Sequence, residues 1–329
     1  MGSSSHRGTQ FDMHALVGAA KPLPSSMESA GSPRLMSPIE TLQKNALRKK
    51  RARPSEEGIF DTELETGTVT SKLDRSLATK PLRLRPAWES PWKRYQKIYD
   101  RELAGSTEVA VRREQPIELV HVRKLQKPGA EKALHMFQNI QHCNIVVALD
   151  AFTTDDGLYI VLEPSSISLE EIVRSPAYPD ERQLAAILGQ VLNGVAYLMA
   201  EGFEHGCLCC SNILLKTDGT VKIANLECCK AVGQSKGANR GLRTLPSITM
   251  ELMQKYEKED GAIGIDNLRR WHSSSDAVGF LSATTSAASA EELLKHPLLT
   301  RPWQKESLIG LVDLGLVCLR GRYKYTPQI

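Results

Sequence analysis

The sequence predicts an α+β chain of two lobes, a small β-rich one followed by a mostly helical one. Three observations carry that expectation. Two pairs of short apolar runs each turn on an Asp-Gly, at residues 156–157 and 218–219, which is a strong hairpin signal. One long amphipathic segment, ERQLAAILGQVLNGVAYLMAEG, puts Leu184, Ile187, Leu188, Val191, Leu192, Val195 and Leu198 on a single helical stripe. Strands dominate before it and helices after it, the order of a layered α+β architecture rather than a sandwich or a bundle.

Each element follows in turn. Residues 1–85 are rich in Ser, Pro, Gly and charge, too poor in periodic apolar residues to offset the entropy of ordering, and read as a disordered tail. Within it, LRKKRARP sets Arg48, Lys49, Lys50, Arg51 and Arg53 before a proline, suited to an import receptor or acidic partner; the alternative is a solvated charge run. A folded edge begins at Pro86, with two tryptophans and two tyrosines in AWESPWKRYQKIYDREL. Residues 108–111 and 117–122 read as strands across the polar turn RREQP, and LHMFQNI as a helix burying one face. NIVVALDAF with LYIVLE, and ILLKTDGTVKIA, are the two hairpins; SLEEIV is a short helix before the long one. Asp150, Asp155 and Asp156 are ordinary strand-end and turn residues. The expected organisation is a tail over 1–85, a β-rich lobe over 86–163, a helical lobe over 164–300 and a helical tail over 301–329.

Composition narrows the function classes. With 329 residues and 41% hydrophobic content the chain can bury a substantial core, and a net charge of +4 from 42 basic and 38 acidic residues gives no field for nucleic acid. No run reaches the roughly 18–20 apolar residues of a membrane span. MGSSSH lacks the Ser or Thr that a myristoylation start needs at position six, where His6 stands. Seven cysteines without a secretory signal read as reduced thiols in the cytoplasm or nucleus.

From about Tyr95 to Leu299 the segments resemble a eukaryotic protein kinase domain. QHCNIV stands for HPNIV, LYIVLE for the hinge strand, HGCLCCSNILL for HRDLKPSNILL, KIANLE for KIADFG, and SAEELLKHPLL for the closing helix. The resemblance implies a two-lobe kinase-like fold with a shortened helical lobe, and it locates the chemistry. The catalytic Asp falls on Cys207, the Arg before it on Gly206, and the loop lysine and proline on Cys209 and Cys210, while His205 and Asn212 are kept. A thiol with an ordinary pKa near ~8.5 is a poor substitute for a carboxylate base. The magnesium-binding positions are Asn212 and Asn225; the second is an Asp in the family, followed here by Leu226 and Glu227. Magnesium needs carboxylate charge, which neither amide supplies.

The nucleotide positions are similarly altered. Of the phosphate-covering loop only Gly105 remains, the phosphate lysine falls on Arg123 with Lys124 on the opposite strand face, and Leu162 and Glu163 take the hinge. The lysine's helix partner falls on Ala133, and Glu131 lies about 200° around the helix from it. Glu251 takes the Glu of the APE motif, but its Arg partner falls on Ala287; Asp266 in IDNLRRW falls on an anchoring Asp within a helix remnant, and Phe280 starts a late helix. The resemblance with these losses implies a catalytically inactive pseudokinase acting through protein partners, without cofactor. The alternative is a divergent Ser/Thr kinase using ATP and magnesium, with Arg123 or Lys124 on phosphate and Glu227 with Asn212 on metal. Cys207, Cys209 and Cys210 are expected near Cys228 and Cys229, either as a soft-metal or redox site or as apolar filling. The tail carries apolar residues at 308, 311, 312, 316 and 319 and is expected to pack on the helical lobe.

Overall fold

A computed structural model describes residues 84–232 and 240–320, all within one unit, Leu73–Ile329. The basic run at 48–53 and nearly all of the expected tail over 1–85 lie outside the described residues.

Five antiparallel strands make the first lobe: β1 (Tyr95–Glu102), β2 (Ser106–Arg112), β3 (Leu119–Leu125), β4 (Ala148–Thr154) and β5 (Gly157–Leu162), in the spatial order β1-β2-β3-β5-β4. The helix α1 (Lys127–Asn139) crosses between β3 and β4 and buries Ala133, Met136 and Phe137 against the sheet. Strand β1 was not foreseen, because its residues Gln96–Glu102 alternate charge with exposed Ile98 and Tyr99 and present no apolar face. Leu84 is buried, and its carbonyl accepts from the Gln138 side chain at 2.7 Å.

The second lobe is built around α3 (Glu181–Ala200), preceded by β6 (Ile167–Ser168) and α2 (Leu169–Arg174). All seven residues of the foreseen α3 stripe are buried. Asp180 starts the helix by a reciprocal cap: its carboxylate accepts from the Gln183 amide at 2.7 Å, and its own N–H donates to the Gln183 side chain at 3.0 Å. This helix is long and apolar enough to cross a membrane by composition, yet 67% of its most apolar window is buried by the protein, so its apolarity is that of a core helix.

Short strands then place the loops. β7 (Phe203–His205) pairs with β10 (Cys229–Ala231), and β6 pairs with β8 (Ile213–Leu215), which pairs with β9 (Val221–Ile223). Gln190 on α3 fixes this corner, accepting from Val221 N–H at 3.0 Å and from Asn144 at 3.2 Å while donating to the Gly219 carbonyl at 3.1 Å.

The remaining helices are α4 (Arg240–Arg243), α5 (Leu245–Gln254), α6 (Asp276–Thr284), α7 (Ala290–Leu294), α8 (Pro297–Thr300) and α9 (Ile309–Arg320). IDNLRRW is not a helix remnant but a series of turns. It is held by the buried Trp271 indole donating to Met253 O at 2.8 Å and by exposed Asp266 pairing with Lys258 at 2.7 Å. The late helix begins at Asp276 rather than Phe280, because the Ser275 hydroxyl accepts from Val278 N–H and caps it there. The tail helix α9 buries Leu311, Val312, Gly315 and Leu319, with Leu308 just before it, against β6 and α2, close to the expected stripe.

Candidate functional site

The loop Gly206–Asn212 and the turn Ala224–Cys228 face one another below β3. His205, at the end of β7, anchors the first to the second: its Nε2–H donates to the Ala224 carbonyl at 2.8 Å, and burial holds its pKa below the ordinary histidine value. Asn225 takes the left-handed conformation, φ 62° and ψ 50°, which Asn tolerates better than most residues with a side chain. That conformation turns its amide into the space between the loop and β3.

There the polar groups satisfy each other in a chain. Arg123 on β3 donates to Asn225 Oδ1 and pairs with Glu227 Oε1 at 3.0 Å. Asn225 Nδ2 donates to Asn212 Oδ1 at 2.6 Å, and Asn212 Nδ2 donates to the Cys207 carbonyl at 2.7 Å. The Asn212 carbonyl in turn accepts from Ala224 N–H at 2.9 Å. Gly105, at φ 97°, lies directly over this chain, since a Cβ built there would touch Arg123 Nη2 at 3.4 Å. Arg123, Asn212 and Asn225 are thus brought together, and His205, Cys207 and Gly105 border them.

This arrangement does not fit magnesium or a phosphate chain. The Asn225 and Asn212 oxygens that would face a cation already accept hydrogen bonds, one of them from a guanidinium, itself a cation. The Glu227 carboxylate is paired with the same guanidinium. Lys124 points to the far face, over the Tyr159 ring and 3.8 Å from Asp156. Ala133, which the resemblance sets at the lysine's helix partner, is buried, and Glu131 is exposed.

At the hinge, Leu162 is buried and Glu163 is absorbed into structure. The Glu163 carboxylate accepts from Val147 N–H at 2.9 Å and holds Lys222 at 2.7 Å and Lys216 at 3.3 Å. Two residues that sequence reasoning missed lie beside it. His121 sits two residues before Arg123 on the same face of β3, opposite Leu162 on β5, and is 3% exposed. Arg101 of β1 reaches across to donate to the Ser166 carbonyl at 2.7 Å. Burial, reinforced by the Arg101 charge, pushes the His121 pKa down to about 4. The period-2 relation to Arg123 was the signal available for His121; Arg101 had none.

The cysteines divide. Cys207 and Cys228 are joined as a disulfide with their Cα atoms 6.0 Å apart, which corrects the expectation that the thiols are all reduced. The β7–β10 pairing of His205 with Cys229 sets Gly206 against Cys228, and Cys207 follows one residue on, within reach of the Cys228 sulfur. Cys229 is fully buried and its pKa is pushed up to about 12 by that burial. Cys210 is buried against Glu251, so the APE-position carboxylate, its own pKa raised by burial, meets a thiol instead of an arginine, and Ala287 lies elsewhere at the core edge. Among the described residues no group of three or more His, Cys, Asp or Glu side chains is placed to hold a metal ion, so the soft-metal expectation has no site there.

Comparison with known proteins agrees with the two-lobe fold. The family model of the protein kinase domain matches residues 108–260. Over 176 residues the chain is 29% identical to mitogen-activated protein kinase kinase kinase 1a of Physcomitrium patens, covering 50% of this chain and 22% of that protein. It is 31% identical over 112 residues to serine/threonine-protein kinase PAK mbt of Drosophila melanogaster, covering 34% of this chain and 17% of that one. It is 25% identical over 241 residues to serine/threonine-protein kinase PAK 4 of Mus musculus, covering 59% of this chain and 40% of that one. The chain therefore matches less than half the length of each of these relatives. It carries a protein kinase-like domain with the α+β two-lobe fold.

Proposed function

We propose that this kinase-like domain is a pseudokinase, a regulatory or protein-interaction module that transfers no phosphate. The observation that supports this reading is the closed chain Glu227–Arg123–Asn225–Asn212–Cys207, in which the side chains at the phosphate and metal positions are spent on one another and on the Cys207 backbone carbonyl. A base must accept a proton, and the base position holds Cys207, a cysteine rather than a carboxylate. A metal must find carboxylate charge, and the nearest carboxylate, Glu227, is neutralised by Arg123. The alternative, an active Ser/Thr kinase like the named relatives, with Arg123 or Lys124 on phosphate and Glu227 with Asn212 on metal, requires Glu227 to leave Arg123 for the metal and Arg123 to turn from Asn225 to phosphate, or Lys124 to cross the sheet in its place. The domain acts in the cytoplasm or nucleus on this reading, through a protein partner recognised by its surface.

A thermal shift with ATP, with and without magnesium, tests it. The expected result is no magnesium-dependent stabilisation, since linkage vanishes when affinity is low. A magnesium-dependent rise in Tm, together with phosphate transfer abolished by Asn212→Ala, overturns the reading in favour of the active kinase.

A further inference from the structure

Gly206 and Cys207, which stand where the kinase pattern has Arg and Asp, meet Cys228 at one point. Cys207 and Cys228 are both half-exposed, within reach of solutes, whereas Cys210 and Cys229 beside them are buried at 3% and 0%. Gly206 precedes Cys207, and its N–H donates to the Cys228 carbonyl at 3.2 Å. A Cβ at position 206 would stand 2.7 Å from that carbonyl oxygen, a backbone atom that cannot swing aside. Only glycine lets the two backbones approach this closely, and the approach is what places the sulfurs together. Apolar drift at the base position gives no reason for a glycine beside it or for a second cysteine opposite.

We propose that Cys207 and Cys228, with Gly206 as the close-approach residue, form a peroxide-responsive thiol–disulfide modification site that ties the loop before Asn212 to the turn after Asn225. In a reducing compartment a disulfide on an accessible surface is transient and redox-responsive rather than a permanent staple. The reaction balances with hydrogen peroxide as oxidant. The thiolate of one cysteine attacks a peroxide oxygen, the O–O bond breaks, hydroxide leaves, and a sulfenic acid remains. The thiolate of the other attacks that sulfur, the S–S bond forms, the S–O bond breaks, and a second hydroxide leaves. With the two thiol protons the sum is two thiols and one peroxide to one disulfide and two waters. A dithiol reductant reverses it by exchange through a mixed disulfide. Selectivity follows from placement: the buried Cys210 and Cys229 are shielded from the oxidant, and Cys143, Cys209 and Cys318 are free cysteines, whereas Cys207 and Cys228 have their sulfurs against one another, so a sulfenic acid on either meets its resolving thiol at once.

The tie has a structural consequence for the chain itself. Oxidised, it locks the Gly206–Cys228 hydrogen bond and the β7–β10 pair. Reduced, that short pair is held by its own few backbone bonds and opens more readily. The inference goes beyond the absence of phosphate transfer and does not rest on it.

The test uses the full chain, first reduced with dithiothreitol, then exposed to hydrogen peroxide, with free thiols trapped by N-ethylmaleimide and peptides mapped by mass spectrometry. The expected product is one peptide pair linked through Cys207 and Cys228, two hydrogens lighter and cleared by dithiothreitol. Cys207→Ser and Cys228→Ser each abolish it, and Gly206→Ala slows its formation by roughly tenfold or more, since the sulfurs no longer meet without a backbone shift. Amide exchange at Gly206 and Cys229 is slower in the oxidised protein. Absence of the linked pair, equal linkage of Cys207 to other cysteines, Gly206→Ala crosslinking at the wild-type rate, or identical exchange in the two states overturns the proposal. No nucleotide is involved, so its failure leaves the thermal-shift result standing, and the reverse holds too.

Discussion

The Arg123 guanidinium holds the Glu227 carboxylate at 3.0 Å while donating to Asn225, so one cation on the strand serves both residues of the turn beneath it. Both partners are mostly shielded, with side-chain exposures of 14% and 24%. A pair in this position is costly to break from one side, because the remaining charge keeps its desolvation and loses its partner.

Arg123→Ala is therefore expected to destabilise the domain by about 1–3 kcal/mol, read as a lower urea midpoint at unchanged slope. Arg123→Lys should recover only part of the loss, since a lysine cannot serve an amide and a carboxylate through a planar fork. A midpoint for Arg123→Ala equal to that of the wild type would show that the chain of polar groups carries no stability.

His121 gives the domain an acid-side weakness. Its folded pKa is pushed down to about 4 by burial and the nearby Arg101, against an ordinary value of 6.5. As pH falls through about 6.5 the unfolded chain takes up a proton that the folded one refuses until about 4, so stability is complete above this window and is lost going down through it. The full depression corresponds to about 3 kcal/mol at most. Unfolding free energies at pH 7, 6, 5 and 4 should fall, and His121→Gln should flatten the fall. Some slope should persist, because His205, His142 and His296 are lowered by burial in the same direction. An unaltered slope in His121→Gln would remove His121 as the cause.

Much of this was legible in the sequence where periodicity and turn chemistry agree. The α3 stripe from Leu184 to Leu198 is buried as its spacing requires, and both Asp-Gly turns close hairpins, β4–β5 and β8–β9. Strand β1 was hidden because its partners, not its own residues, supply the reason to extend: Arg101 pairs with Thr107 and Asp100 with Glu108 along β2. IDNLRRW was expected to be a helix remnant from its place in the kinase resemblance, yet with only Trp271 finding a buried place it turns instead. At the site, the losses at Cys207 and Asn225 were visible by position. What replaced them was not, because the Arg123–Asn225–Asn212 chain joins residues up to 102 positions apart and depends on a left-handed backbone at Asn225. That Cys207 would lie near Cys228 was foreseen, though Cys210 instead meets Glu251, and the choice of Cys228 as partner depends on the β7–β10 register, which three-residue strands do not announce.

The second Asp-Gly turn carries more than a hairpin. Gly219 has φ 81°, donates its N–H to Lys216 O at 3.0 Å, and accepts from Gln190 of α3 at 3.1 Å. A Cβ at this position would overlap the Lys305 carbonyl, a backbone atom just ahead of α9, so the tail is docked onto the bare face of the glycine. Alanine there meets two penalties, the left-handed strain of about 1–2 kcal/mol and the displacement of the Lys305 backbone, and Gly219→Ala is expected to cost about 2–4 kcal/mol in total. Asp218 next to it pairs with Lys305 at 2.7 Å but is 53% exposed, and an exposed pair is worth under about 1 kcal/mol, so Asp218→Ala should cost far less. Urea unfolding of the two variants, with amide exchange across α9, separates backbone docking from charge pairing. If Gly219→Ala costs no more than Asp218→Ala and leaves α9 protected, the tail is held by its apolar face on β6 and α2 alone.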